Sequence, residues 1–381
     1  LRLVPYERGV RPRILDGVTL ADIDAILRNF GNLTHSPAHP PAPIKKATLI
    51  AWDNTPSEPA DEDIRANLQI GQQLAFCALA KRRFRMNLDY CNADAYQMLA
   101  QRFQVGNGSG TSVTTRRRDG ATQHSLSGKV AVPYFLRPLH VDKVHLDIDK
   151  DLFNALQHVD DPELKEKLSS SIEMFVLANT DAPAIPERTE LVLLRSAFEK
   201  VLGAGFQTKD LVRGFTNHFK SDLPSPAIWH TGEFKESVWR KRWPTKDIKI
   251  TRPLVAWVCD FCAARNDAAH GGSKSKYPDT LWSTRNHLLF GSWLFPLMIK
   301  KILASLGLYE LTEKDTLYRQ GCEKFLAHNL LAWDEEKDES EWSKVESKLH
   351  HEAISRKIAA ELAHKLSAVK DAVPIACIEV Q

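Results

Sequence analysis

Leu191, Leu194, Phe198 and Leu202 recur at intervals of three and four, and Gly203 and Gly205 follow them. That rhythm lays one apolar stripe along a helix over 186–203, and a glycine just past the last turn is a common stop. Leu254, Trp257, Val258 and Phe261 repeat it in a helix over 253–269, ended by Gly271 and Gly272. The very apolar run 281–306 predicts another helix. Residues 151–179 hold one or two more, broken near Asp160, Asp161 and Pro162. Striped helices must bury their stripes against one another. Residues 146–307 therefore predict an all-α four-helix bundle.

The flanks read differently. Within 1–145, a helix over 19–30 ends at Gly31, and a loop with Pro37, Pro40, Pro41 and Pro43 follows. Strands are expected over 47–52 and 129–135, and helices over 61–84 and 92–103. Between them, Gly106–Gly110 runs into Arg116, Arg117 and Arg118. The tail, 308–381, is charged and helical. Its apolar positions Trp342, Val345, Leu349, Ile354, Ile358, Leu362, Leu366 and Val369 suit either a helix on its own core or a dimer-forming helix. A chain of 381 residues accommodates two or three domains. The expected fold class is α+β: a mixed domain over 1–145, the bundle over 146–307 and a helical extension over 308–381.

Apolar residues make up 43% and charged residues 26%, so a large core is expected, and the net charge is only +3. Any basic footprint for nucleic acid must therefore be local. Six scattered cysteines are too few for a disulfide-stapled secreted scaffold. The first residues lack the apolar core of a signal peptide, and no run approaches the ~20 apolar residues of a membrane span. The expectation is a soluble, cytoplasmic chain with no membrane partner.

Most chemical motifs are incomplete. Cys259 and Cys262 form a CxxC with no second pair, so they read as core cysteines rather than zinc ligands. Gly106–Gly110 lacks the Lys-Ser/Thr ending of a phosphate-binding loop. Asp147, Asp149 and Asp151 lack an EF-hand continuation and read as a strand-to-helix junction. His350, His351 and His364 fall on a polar helix face. There is no Gly-x-Ser-x-Gly elbow. Trp229, Trp239 and Trp243, interleaved with Lys235, Arg240, Lys241 and Arg242, could stack on single-stranded RNA or pin a loop to the bundle, and both readings stay open.

The stretch that carries chemistry is Arg265-Asn266-Asp267-Ala268-Ala269-His270-Gly271-Gly272, at the end of a helix. Cutting RNA without metal requires a group to take the 2′-OH proton, a cation for the phosphorane-like transition state and a donor for the leaving 5′-oxygen. Histidine suits the proton transfers because it titrates near neutrality. Arginine suits the phosphate because its planar fork donates two parallel hydrogen bonds and stays charged. Residues five apart point roughly 140° apart on an ideal helix, so Arg265 and His270 share a face only if the last turn relaxes. Asn266 and His270 are four apart and do share one, so Asn266 could orient the imidazole or hold RNA beside it. A helix C-terminus favours a protonated imidazole, which helps a general acid, but both acid and base roles stay open for His270. Asp267 and Lys274 flank the motif and, with Arg116, Arg117 and Arg118, are assigned to substrate contact.

An arginine, a polar residue, three more residues and a histidine followed by glycine, late in the third helix of four, resembles the HEPN family, and in particular the Apea-like HEPN proteins of bacterial anti-phage systems. The resemblance covers about 150–307. It implies a metal-independent, cofactor-free endoribonuclease in which Arg265 and His270 are catalytic and Asn266 is the polar companion. It also implies an acidic residue on the second helix, for which Glu199 and Glu190 are the candidates and Glu199 is preferred. Two copies would form a homodimer with a composite active site on RNA (tRNA, mRNA or rRNA). The residues 1–145 would sense a phage-derived trigger or select the substrate. The alternative is a non-catalytic HEPN module for nucleotide or RNA binding, or for dimerisation.

Overall fold

The structure, a computed structural model, describes residues 2–7, 30–32, 42–43, 46–51, 61–82, 84, 91–93, 113–116, 122–125, 130–132, 148–180, 185–220, 248, 250, 252–270, 281–327, 355, 358–359 and 362–363. For the strands and some helical residues, His270 among them, it describes the backbone only. Where side chains are placed, 77% of residues are helical and none is in a strand, so the protein is mostly α. This corrects the α+β expectation. Over 1–145 the described residues hold short ladders and one long helix, and they do not show the expected mixed domain. Strand β1 (Arg2–Glu7) pairs antiparallel with β4 (Lys46–Ala51), in register from Arg2 opposite Ala51 to Glu7 opposite Lys46. β2 (Phe30–Asn32) lies between β3 (Ala42–Pro43) and β7 (Val130–Val132), and β5 (Val113–Arg116) pairs with β6 (Thr122–Ser125). Among the described residues these ladders of two or three short strands remain separate and form no sheet able to bury a core face. The expected strands at 47–52 and 129–135 fall on β4 and β7. The expected helices over 19–30 and 92–103 lie almost wholly outside the described residues.

Among the described residues there are eight helices: α1 (Asp61–Leu79), α2 (Lys150–Gln157), α3 (Pro162–Leu177), α4 (Glu187–Leu202), α5 (Thr208–Phe219), α6 (Pro253–His270), α7 (Thr284–Ser305) and α8 (Glu313–Ala327). Asp149, Asp161 and Ser283 cap α2, α3 and α7 by accepting from Leu152 N, Glu163 N and Asn286 N at 3.1, 3.0 and 3.2 Å. α4 is central and packs on α3, α5, α6 and α7. Its stripe residues Leu191, Leu194 and Phe198 are buried, as the three-and-four spacing predicts. The Phe198 ring meets Phe215, Trp257, Phe261 and Phe295 with centroids 4.9 to 6.4 Å apart. Such pairs add about 0.5–1.5 kcal/mol each beyond burial of their area. Gly291 lets α7 approach α4 closely, because a Cβ there would lie 2.6 Å from Leu194 Cδ2.

One continuous apolar core runs from Phe76 and Leu79 on α1 to Leu326 on α8, so it continues beyond 146–307 at both ends. Phe76 sets its ring edge-on to Phe175 and Phe295, which stack on each other at 4.6 Å. α8 is tied down by charge. Arg252 forks onto Glu323 at 3.1 and 3.0 Å, and the same carboxylate accepts from Leu254 N at the start of α6. Lys300 of α7 lies 2.9 Å from Asp149 and 3.0 Å from Asp315, joining α2, α7 and α8. α7 is long and apolar enough to cross a membrane, yet 72% of its most apolar window is buried within the protein. Of the tail beyond α8, only Ser355, Ile358, Ala359, Leu362 and Ala363 are described; they are helical, and Ile358 and Leu362 are exposed.

Candidate functional site

α6 changes character along its length. Pro253 occupies the first helical position, where its missing N–H costs nothing. Every residue from Pro253 to Ala264 is buried. Trp257 and Phe261 stack at 4.9 Å, and Cys259 and Cys262 lie in the core, as expected for structural cysteines. Burial pushes the Cys259 thiol up to about 12. It raises Cys262 too, despite the opposing influence of the Arg195 guanidinium, so neither supplies a thiolate at neutral pH. At Arg265 the helix emerges: Arg265, Asn266, Asp267 and Ala268 are half-buried and Ala269 is exposed.

Asn266 is the hub of the emerging turn. Its Oδ1 accepts from Arg265 Nη1 at 3.2 Å and from Arg195 Nη1 at 3.0 Å. Arg195 comes from α4, where its side chain is 2% exposed and pairs with Glu199, one turn on, at 3.0 Å. Its Nη2 also donates to the Phe206 carbonyl at 2.9 Å, in the turn that leads to α5. One buried guanidinium thus fixes α4, the 203–207 turn and the C-terminal end of α6. The Nε atoms of Arg195 and Arg265 are buried without a hydrogen-bond partner. Arg265 makes no ion pair among the described residues. Its half-buried charge, oriented by a neutral amide, is chemically suited to an incoming anion.

The sequence-predicted residues sort into three groups. Arg265, Asn266 and Glu199 belong to one contact network, with Asp267 half-buried beside it. His270 is the last helical residue of α6, and its side chain lies outside the described ones. The backbone stays helical through position 270, so the five-residue separation keeps Arg265 and His270 roughly 140° apart within one chain. Arg116 lies in β5 with only its backbone described, and Arg117, Arg118, Lys274 and the aromatic–basic stretch 229–243 fall outside the described residues. No group of His, Cys, Asp and Glu able to hold a metal occurs among the described residues.

Sequence reasoning missed Arg195. The available signal was a cation one step from Leu194 and three from Phe198, on the flank of an apolar stripe, with Glu199 at the i+4 position to pair with it. Asp260 and His287 were missed as well. Asp260 accepts from Leu281 N at 3.2 Å and Trp282 N at 3.0 Å, fixing the start of the 281–283 approach to α7. The fully buried His287 lies 3.2 Å from the same carboxylate. No protein-family model, curated protein or solved structure matches the chain.

Proposed function

We propose that the chain is a metal-independent endoribonuclease of the HEPN type, acting in the cytoplasm in anti-phage abortive infection or as a toxin. The observation that carries this reading is Arg265: a half-buried guanidinium, held by Asn266 and committed to no carboxylate among the described residues. A structural arginine at this depth is ordinarily neutralised, as Arg195 and Arg252 are. An arginine without a counter-charge at a helix end is suited to a phosphate.

In this reading the substrate 2′-oxygen attacks phosphorus in line, and the bond from phosphorus to the 5′-oxygen breaks. The 2′-OH loses its proton to a base, and the leaving 5′-oxygen gains one. The products carry a 2′,3′-cyclic phosphate and a 5′-OH. Arg265 stabilises the charge that grows on the phosphate oxygens. His270 transfers protons. Asn266 and Arg195 hold the Arg265 fork, and Glu199 neutralises Arg195. Because Arg265 and His270 diverge on one helix, a homodimer in which the two copies of α6 face each other would let Arg265 of one protomer work with His270 of its partner.

Expression in a bacterial host tests this reading. The wild-type chain slows growth and leaves RNA fragments with cyclic phosphate ends, and His270→Ala at equal abundance does neither. Wild-type and variant chains that are equally harmless, with both binding RNA, would assign the site to binding instead.

A further inference from the structure

Phe206 is the most exposed large apolar side chain described, at 84%. A lone exposed apolar residue is ordinary on a protein surface. The backbone beneath this one is unusually constrained. Gly203 closes α4 in the left-handed region at φ 58°, and Ala204 N bonds back to Glu199 O at 2.9 Å. Gly205 lies so close to Asp210 that a Cβ would meet its Oδ2 at 2.7 Å. The Phe206 carbonyl then accepts from Arg195. Three contacts of 3.2 Å or less join this carbonyl through Arg195 and Asn266 to Arg265. The backbone that carries an exposed aromatic ring therefore belongs to the same hydrogen-bond network as a guanidinium suited to phosphate.

A nucleotide offers both halves of that recognition: an anionic phosphate and a flat base. An aromatic ring held one small network away from a phosphate-binding arginine matches a base splayed out of a strand. We propose that Phe206 is the stacking platform for an unpaired nucleobase flanking the phosphate at Arg265, which makes single-stranded RNA the substrate class of this site. The inference rests on the ribonuclease reading for the identity of the anion. Its geometry does not depend on His270.

The test compares the full-length wild type with Phe206→Ala and Phe206→Trp. Binding is measured with uncleavable 2′-O-methyl oligonucleotides, oligo(A) and oligo(U), and with a duplex of the same length. Cleavage is followed on the matching unmodified strands. Base stacking is worth about 1–3 kcal/mol, or about 5- to 150-fold in affinity. Phe206→Ala should weaken single-strand binding by that factor, more for oligo(A), and raise KM more than it lowers kcat. Duplex binding should not change, and Phe206→Trp should restore the wild-type values. Equal single-strand affinity in wild type and Phe206→Ala overturns the inference while leaving the ribonuclease reading intact if cutting persists. Wild type that binds through Phe206 but never cuts sinks the ribonuclease reading alone. Loss of a wild-type dimer on Phe206→Ala, measured by sedimentation, assigns the ring to self-association and overturns the inference. A wild type that neither binds nor cuts overturns both.

Discussion

Lys300 offers a perturbation whose size follows from the geometry. The residue is 6% exposed, and its ammonium lies 2.9 Å from Asp149 and 3.0 Å from Asp315. Asp149 also caps α2, and Asp315 also accepts from Thr312 N and Oγ1 and from Tyr309 OH. Burial alone would lower the lysine pKa, but the two carboxylates outweigh it and hold it above its usual value. Lys300→Met keeps most of the volume and leaves two buried carboxylates without their cation. Breaking a buried pair in this way costs about 3–5 kcal/mol. The pH dependence gives a sharper signature. In the wild type Asp315 is held below the ordinary carboxylate range, because Lys300 and Thr312 together outweigh the burial that pushes it up. Its contribution to stability is present above the unfolded carboxylate pKa and is lost as pH falls through the lower folded value. Without Lys300, burial dominates and Asp315 is pushed up instead. The variant should then take up a proton on folding, so its deficit shrinks as pH falls from 7 towards 4.5. Urea unfolding followed by tryptophan fluorescence at both pH values reads this out. Lys300→Met/Asp315→Asn should recover about 1–3 kcal/mol, the usual cost of a buried unsatisfied polar group. A variant within about 1 kcal/mol of wild type, or a deficit independent of pH, would refute the reasoning.

Other expectations follow from single contacts. Gly291→Val forces branched methyls into the space held by Leu194 Cδ2 and should destabilise by about 1–3 kcal/mol, with Leu194→Ala in the same chain relieving part of that in a double-mutant cycle. Lys301 is lowered to about 8, chiefly by burial and by repulsion from Arg319, so the unfolded chain binds more protons between about pH 8 and 10.5. Stability should therefore rise with pH across that window, and Lys301→Met should flatten the rise in a pH series of thermal melts. Arg195→Met/Glu199→Gln removes the buried guanidinium with its counter-charge and lets Arg265 and Asn266 drift. RNA cleavage should fall about 100-fold in kcat/KM, against an unchanged far-ultraviolet circular dichroism spectrum.

Several helices were legible because they announce themselves twice, by stripe and by stop. Leu191, Leu194 and Phe198 set the face of α4, and Gly203 in the left-handed region ends it where the sequence places the stop. Asp161 followed by Pro162 marks the α2–α3 break as a capped start. The α+β class failed for a physical reason. β-favouring residues around β4 and β7 read as strands one at a time, but class depends on whether strands share a sheet, and among the described residues these two fall in separate ladders. The reach of the core into α1 and α8 was hidden as well, since Phe76 and Glu323 find their partners across wide sequence gaps. At the site, Arg265 and Asn266 were legible as a motif, whereas Arg195 was not. A cation beside an apolar stripe has the composition of a solvated surface residue, and only packing shows that it is buried and shared between Asn266, Glu199 and Phe206.

The most direct test of the central claim is RNA cleavage by the purified protein in EDTA, with Arg265→Ala and His270→Ala beside wild type. Total tRNA and phage lysate are supplied in parallel reactions, so that a substrate or trigger is present. The account predicts that wild type cuts and leaves 2′,3′-cyclic phosphate ends, while both variants fold and are inactive. Three equally active proteins, or a wild type that cuts in none of these reactions, would contradict it.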